Sequence, residues 1–347
     1  MTTAEHDTRE PPLGRGPKQA KTTKSPRSVW ARRLSFKNIG AVYTFIALAI
    51  VFSFWAPKTF PTYTTIAQVL NENSITGLMA LSIIIPLSAG VFDLSIGYAL
   101  GLCNVLVAQL IVHDNMSILL AVVITLLTSL LIGLLNAVVV VIFKIDSLIA
   151  TLATGSLLLA GITIVSGQTE IVGQRLSTGI FADISNAGIH GIDLPVLYMV
   201  IVAMIIWFVL ERTVLGRWLY ATGYNTDAAR LAGIPVRRLR FISLLVSAFV
   251  AGGIAGICVT SQIAAGSATV GPPYLLNAFA AAFLGATQLR HGRFNPWGTL
   301  IAVLLLGAGT TGLALANTPS WAPSVFTGVV LLVALGITRA EQSSGLG

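Results

Sequence analysis

Charge is scarce in this chain: Asp, Glu, Lys and Arg make up only 10% of its 347 residues, where soluble domains carry about a quarter. Cysteine is scarcer still, with Cys103 and Cys258 each inside an apolar run. Neither a disulfide nor a metal site is expected. No GxxxxGK[ST] phosphate loop occurs, so nucleotide hydrolysis within this chain is excluded. HExxH, a GxSG-like serine site and a paired Asp-rich motif are also missing, which argues against an intramembrane enzyme. His113 and His190 have no partners at metal-ligand spacing. What is abundant is apolar: 55% hydrophobic residues and a mean hydropathy of +0.84 describe an integral membrane protein.

The net charge of +8 does not read nucleic acid, because nine of the twenty-one basic residues fall in the first 37 positions and most others flank apolar runs. Residues 1–37, rich in Pro, Lys, Arg, Thr and Ser, are expected to form a disordered basic cytoplasmic tail. A basic region before an apolar run also fits a secretory signal, but no small-residue cleavage site follows, so Ile39 to Trp55 reads as a retained first span. Crossing a bilayer takes roughly 20 apolar helical residues. Further candidates are Ile66 to Ala89, Ile96 to Val112, Ile118 to Phe143, Ser147 to Val165, Leu194 to Leu210, Phe241 to Val259, Leu275 to Leu289, Trp297 to Ala314 and Trp321 to Ile337.

The expectation is therefore an all-α, polytopic helical bundle of about ten transmembrane helices, with both termini cytoplasmic. Residues 38–339 form the transmembrane domain and 340–347 a short inner tail. Sidedness supports the count: ten crossings from an inner N-terminus place nineteen of the twenty-one basic residues inside, leaving Lys58 and Arg175 outside. The short stretch Leu275 to Leu289, following Pro272 and Pro273, is the weakest of the ten, a full span or else a broken or re-entrant helix lining a cavity.

One polar island interrupts the apolar runs. Residues 211–240 hold six basic residues against two acids, around TDAARLAGIPVRRLR, and read as a cytoplasmic loop containing a helix. Asn225 or Thr226 can cap that helix, Ala228 and Ala229 allow close approach, and Gly233 followed by Pro235 ends it. Arg230, Arg237, Arg238 and Arg240 suit acids of a partner or lipid phosphates. Asp93, in PLSAGVFDLSIG, lies between two apolar runs, where a carboxylate costs about 2.5–3.5 kcal/mol and needs partners. Asp93 and Ser95 precede a helix as capping residues do and Gly97 permits close packing, while a role of Asp93, Ser95 and Gly97 in the transport path or its gating is the alternative. Asn71, Glu72, Asn73, Asn104 and Asn136 are candidates for a hydroxyl-bonding solute path, or for bonds between helices.

GVFDLSIGYALGL resembles the GGIDLSVGS signature of the ribose and xylose type of ATP-binding-cassette (ABC) sugar permeases. Three further stretches match that family in order: GLLNAVVVVIFKIDSLIATLATGSLLLAGITIVSG, ERTVLGRWLYATGYNTDAARLAGIPVRRLR and AAAFLGATQLRHGRFNPWGTLIAVLLLGAG. Phe92, Ala137, Asp146, Ser147 and Ala286 depart from the family pattern without touching the loop around Thr226.

The resemblance implies a permease subunit importing a monosaccharide or related polyol across the cytoplasmic (inner) membrane of a prokaryote. It implies three kinds of partner: a separate ATPase that binds ATP and Mg, a periplasmic or lipid-anchored sugar-binding protein, and a second permease copy or homologue. Asn225, Thr226, Ala228, Ala229, Arg230 and Gly233 would then couple to the ATPase. No cofactor is expected in this chain. The alternative is an ion-coupled carrier using Glu72 or Asp93, with few carboxylates to serve it.

Overall fold

A computed structural model describes residues 50–55, 57, 60, 62–289 and 292–344. The expected tail 1–37, most of the first span, Lys58, Arg290 and residues 345–347 lie outside the described residues. Thirteen helices follow Tyr63: α1 (Tyr63–Ser88), α2 (Ile96–Val112), α3 (Ile118–Ile142), α4 (Ser147–Ser166), α5 (Gln174–Ser177), α6 (Ile180–Asn186) and α7 (Leu194–Arg212) come first. Then come α8 (Val214–Tyr224), α9 (Thr226–Leu231), α10 (Val236–Ile263), α11 (Gly271–Ala286), α12 (Pro296–Leu315) and α13 (Ala322–Ser344). Two-residue strands β1 (Ile171–Val172), β2 (Gly188–Ile189), β3 (Ile192–Asp193) and β4 (Ala265–Gly266) pair antiparallel as β1 with β4 and β2 with β3.

Six of these helices, α1, α3, α4, α7, α10 and α12, are long and apolar enough to cross a membrane. Of the other expected spans, the first lies mostly outside the described residues, and α2 and α11 form helices shorter than these six, with 17 and 16 residues. Helix α2 spans only 17 residues because the chain before it, from Gly90 to Ser95, leaves helical geometry. Helix α11 starts at Gly271, four residues earlier than expected, since a proline in the first helical turn needs no intrahelical N–H partner. Helix α13 runs on to Ser344, through the expected inner tail.

Burial sorts the bundle into an inner and an outer set. The apolar windows of α1, α10 and α12 are 78%, 72% and 67% buried, whereas those of α3, α4 and α7 are 28%, 33% and 39% buried. With helices this apolar all round, an exposed Leu such as Leu131 or Leu157 is what lipid contact requires. The inner set packs with α2 and α11 into one core containing Ile75, Leu78, Leu100, Ala255 and Ala281.

Hydrogen bonds define the two ends of the bundle. At one end Tyr63 Oη donates to the His190 carbonyl, and Arg175 donates to the carbonyls of Ile111 and Met116. At the other, Tyr220 Oη donates to the Phe294 carbonyl, and the Arg293 guanidinium lies 4.4 Å from the Tyr220 ring centre. Residues 211–240, expected as a loop with one helix, are almost wholly helical here. They hold the end of α7, α8, α9 and the start of α10. Helix α8 forms because it is amphipathic: Gly216, Leu219 and Thr222 are buried while Trp218 and Tyr224 stay exposed.

Candidate functional site

Between α1 and α2 the backbone runs through a buried, non-helical link whose polar groups must be matched by side chains. Helix α4 supplies two of these: Phe92 N donates to Ser147 Oγ at 3.1 Å and Leu94 N to Thr151 Oγ1 at 3.0 Å. Asp93, fully buried, supplies the rest. Its Oδ1 accepts from Ser95 N at 3.1 Å and Ser95 Oγ at 2.7 Å, and its Oδ2 accepts from Ser247 Oγ of α10 at 2.9 Å.

The network continues outward. Asn136 Nδ2 of α3 donates to Ser95 Oγ at 2.7 Å, and Thr154 Oγ1 of α4 donates to Asn136 Oδ1 at 2.6 Å. Five side chains thus tie the link to α3, α4 and α10. Ser95 occupies the position before α2, but its hydroxyl makes no capping bond; it is spent on Asp93. Gly97 lets α2 pack against the first turn of α11, where Gly271 approaches it backbone to backbone.

Immediately beneath this knot lies helix α9. Asn225 Oδ1 accepts from Asp227 N at 3.1 Å and Ala228 N at 3.0 Å, capping the helix as its sequence predicts. Gly233 takes φ +78° with no atom near its absent side chain, so its role is to stop the helix in the left-handed region, not to make a contact. Ala229 is buried against the bundle, whereas Ala228 and Arg230 are exposed and Leu231 is 91% exposed. Arg230 pairs with Asp227 at 3.3 Å across the helix surface.

Arg240 joins the two sites. Its Nη2 donates to Thr226 Oγ1 at 2.9 Å and its Nε to the Ala89 carbonyl at 3.2 Å. The end of α8 adds a second bridge, for Gly223 packs directly on the Ser88 carbonyl and on Gly90, which turns at φ +69°. Helix α9, the α1 terminus and the Asp93 link are therefore joined through Arg240 and Gly223.

The remaining candidates lie elsewhere. Asn104 is buried on α2, where its Nδ2 donates to Thr260 Oγ1 at 2.8 Å and the Ala265 carbonyl at 3.1 Å, and its Oδ1 accepts from Ser267 N at 2.7 Å. It thereby holds the reversal between α10 and α11. Asn71 bonds the Gly191 carbonyl and Asp193 N, fastening the β2–β3 turn to α1. Glu72, exposed, accepts from Gln68 at 2.8 Å and from Thr311 of α12 at 3.2 Å. Asn73 packs against Gly307 of α12.

Asn104→Ala leaves the Ser267 N–H and the Ala265 carbonyl without their bonds in a buried site. It is expected to cost about 2–3 kcal/mol, read as an earlier thermal transition of the purified protein.

Sequence reasoning missed Ser247, Thr154, Gly223 and the double role of Arg240. A serine or threonine in an apolar helix carries no mark of the distant carboxylate or amide it serves. Gly223 lies in the YATGYN stretch that accompanies α9, which is the one local signal it offers. Among the described residues no group of three or more His, Cys, Asp and Glu could hold a metal ion.

The family described as "Branched-chain amino acid transport system / permease component" matches residues 65–335. The ribose import permease protein RbsC of Haemophilus influenzae is 33% identical over 297 residues, covering 84% of this chain and 91% of the relative. RbsC of Bacillus subtilis is 32% identical over 308 residues, covering 88% and 94%. The autoinducer 2 import system permease protein LsrD of Escherichia coli O9:H4 is 29% identical over 263 residues, covering 74% and 78%. No solved structure matches this chain.

Proposed function

Because the chain belongs to the family of permease components of the branched-chain amino acid transport system, it is the transport subunit of an ABC importer of the sugar type, and we propose that α9 is its docking helix. As a multi-pass membrane protein and a permease component it is not itself an enzyme. On this reading ATP and Mg bind to a separate ATPase, an external binding protein delivers the solute, and two permeases, identical or homologous, form the pathway. The solute is a monosaccharide or related polyol, the class named by the ribose relatives. The membrane is the cytoplasmic membrane of a prokaryote.

The observation that carries the docking assignment is the exposed apolar tip of α9. Leu231, at 91% exposure, projects from a capped helix that Ala229 and Arg240 fasten to the bundle. An exposed leucine on a rigid mount is suited to insert into a groove on another subunit. The cytoplasmic side is then the end bearing α8, α9 and Arg293, and α1 runs inward. Alternating ends along the helices yields both termini inside, with ten crossings once Ile39 to Trp55 is counted.

A polar route for the solute follows the facing sides of α1 and α12, where Glu72, Asn73 and Thr311 meet near the outer end. Asn71, Asn104 and Asn136 hold the outer turn, the α10–α11 reversal and the Asp93 knot, and shape that route indirectly. Nothing in the geometry favours an ion-coupled carrier: each Asp93 oxygen already accepts from protein donors.

Leu231→Asp tests the docking assignment. In proteoliposomes holding the partner ATPase and supplied with binding protein, uptake is expected to fall at least about tenfold, in proportion to ATPase retained on the permease. The melting temperature of the isolated permease should not move, because Leu231 touches little of its own chain. Normal ATPase retention by this variant would refute the assignment.

A further inference from the structure

We propose that the inner end of the bundle holds one molecule of an anionic glycerophospholipid, its headgroup between α9, α10 and the α3–α4 turn and an acyl chain in the groove between α3 and α4. The site rests on the inner and outer ends assigned above, but its ligand is independent of the transported solute.

Two observations carry it. The first is a cavity of about 910 Å³ whose lining includes Lys144, Arg230, Arg237, Arg238 and Arg240. Asp146 is the one carboxylate among the lining residues, and its Oδ1 already accepts from Leu148 N and Ile149 N at the start of α4. Arg230 and Arg240 are engaged with Asp227, Thr226 and Ala89. The side chains of Lys144, Arg237 and Arg238 have no hydrogen bond or ion pair among the described residues. Three uncommitted cations around one cavity call for an anion with several acceptor oxygens, which a phosphodiester provides.

The second observation is an apolar groove of about 540 Å³ lined by Leu131, Leu134, Leu135 and Val138 of α3 together with Leu102 and Leu158. The cavity takes its walls from Val140 and Val141, the next turn of the same helix, and from Lys144 in the turn that follows it. Cavity and groove thus lie on consecutive turns of one of the most exposed helices of the bundle, the charged end at the inner surface and the apolar part farther along the helix. A free phosphate has no use for the groove, and neither has an acidic side chain of a soluble partner. A lipid with a charged head fits both halves. The π-helical turn at Val138–Ile142 contributes Val138 to the groove and Val140 and Val141 to the cavity.

Because Arg240 and Arg230 share this cavity with the docking helix, a bound headgroup would brace α9 against α3 and α4. Its occupancy should then set how firmly the docking helix is held.

The experiment uses the full-length permease in detergent micelles, with thermal unfolding and native mass spectrometry as readouts. Phosphatidylglycerol should raise the melting temperature and remain bound as a single molecule, whereas phosphatidylcholine should do neither. R237Q/R238Q, two exposed changes outside the core, should weaken phosphatidylglycerol retention about tenfold or more, as expected for two basic side chains at an anionic surface. Leu135→Trp, which fills the groove and leaves every cation in place, should weaken it as well.

Equal stabilisation by inorganic phosphate or by glycerol phosphate would overturn the proposal in favour of a free-anion site. Retention of phosphatidylglycerol unchanged in both variants would overturn it in favour of a general lipid annulus. If purified ATPase is displaced by R237Q/R238Q while lipid retention is unaffected, the cavity is a protein interface and the proposal fails. None of these readouts depends on Leu231, so the docking assignment and the lipid site fail separately.

Discussion

Asp93→Ala should lower the stability of the permease by about 2–4 kcal/mol and abolish solute uptake even where folded protein is recovered. The Ser95 N–H, wholly buried, then has no acceptor, which alone costs about 1–3 kcal/mol, and the vacated volume adds a cavity term. Removing the carboxylate also relieves its own desolvation, which keeps the net loss below the sum of three charge-assisted bonds. Asp93→Asn is the informative companion: it keeps the volume and one carbonyl acceptor, and the Ser95 and Ser247 hydroxyls can turn to meet its amide. Asn should therefore recover most of the stability lost in Ala. Thermal unfolding of both variants in the same detergent, with uptake in proteoliposomes, decides the matter. An Ala variant that melts with the parent would show that the knot does not hold the α1–α2 link.

Gly223→Leu should uncouple hydrolysis from transport, reducing uptake about a hundredfold at a near-normal ATPase rate. A side chain at this position runs into the Ser88 carbonyl and the backbone around Gly90, and neither can move aside as the tip of a flexible side chain could. The α8 terminus must separate from α1, breaking the bridge that on the proposed reading carries displacement of α9 to the Asp93 link, while the exposed face of α9 proposed to meet the ATPase stays unaltered. Gly223→Ala poses the same backbone contact with the least added bulk and should give a partial effect. The measurement is the ratio of solute imported to ATP hydrolysed in the reconstituted importer. A preserved ratio in the Leu variant would show that force reaches the bundle by another path. Loss of ATPase retention, as expected for Leu231→Asp, would be a docking defect and is scored separately.

Much of this was legible before any coordinates. Long apolar runs, the clustering of basic residues and the capped TDAARLAG helix specify a multi-pass bundle with a structured polar island, because each is a local pattern acting through hydration or backbone capping. Span limits were less secure. Pro272 reads as a helix stop in a linear scan and is in fact part of the first turn of α11, since a proline is compatible with both. The polar island reads as a loop because six arginines and two acids break up its apolar residues. It is helical because Leu219, Ala229 and Val236 find burial against the bundle.

Partnership among side chains was the part hidden from the sequence. Asp93 announced that it needs donors, but Ser247 lies 154 positions away, and Arg240 reaches Ala89 across 151. Asn104 and Asn136 look like solute ligands on an apolar helix, yet burial commits them to the α10–α11 reversal and to Ser95.

What the amino-acid order settled by itself is everything that depends on one segment and its solvent: which stretches prefer hydrocarbon, which side of the membrane the charges favour, where α9 begins and ends. Only the tertiary structure could decide which polar groups meet, because in a low-dielectric interior an orphaned group is costly and any of several partners along the chain could satisfy it. Packing chooses among them, and here it chose a buried carboxylate, two glycine backbones and one arginine to connect α9 with the core.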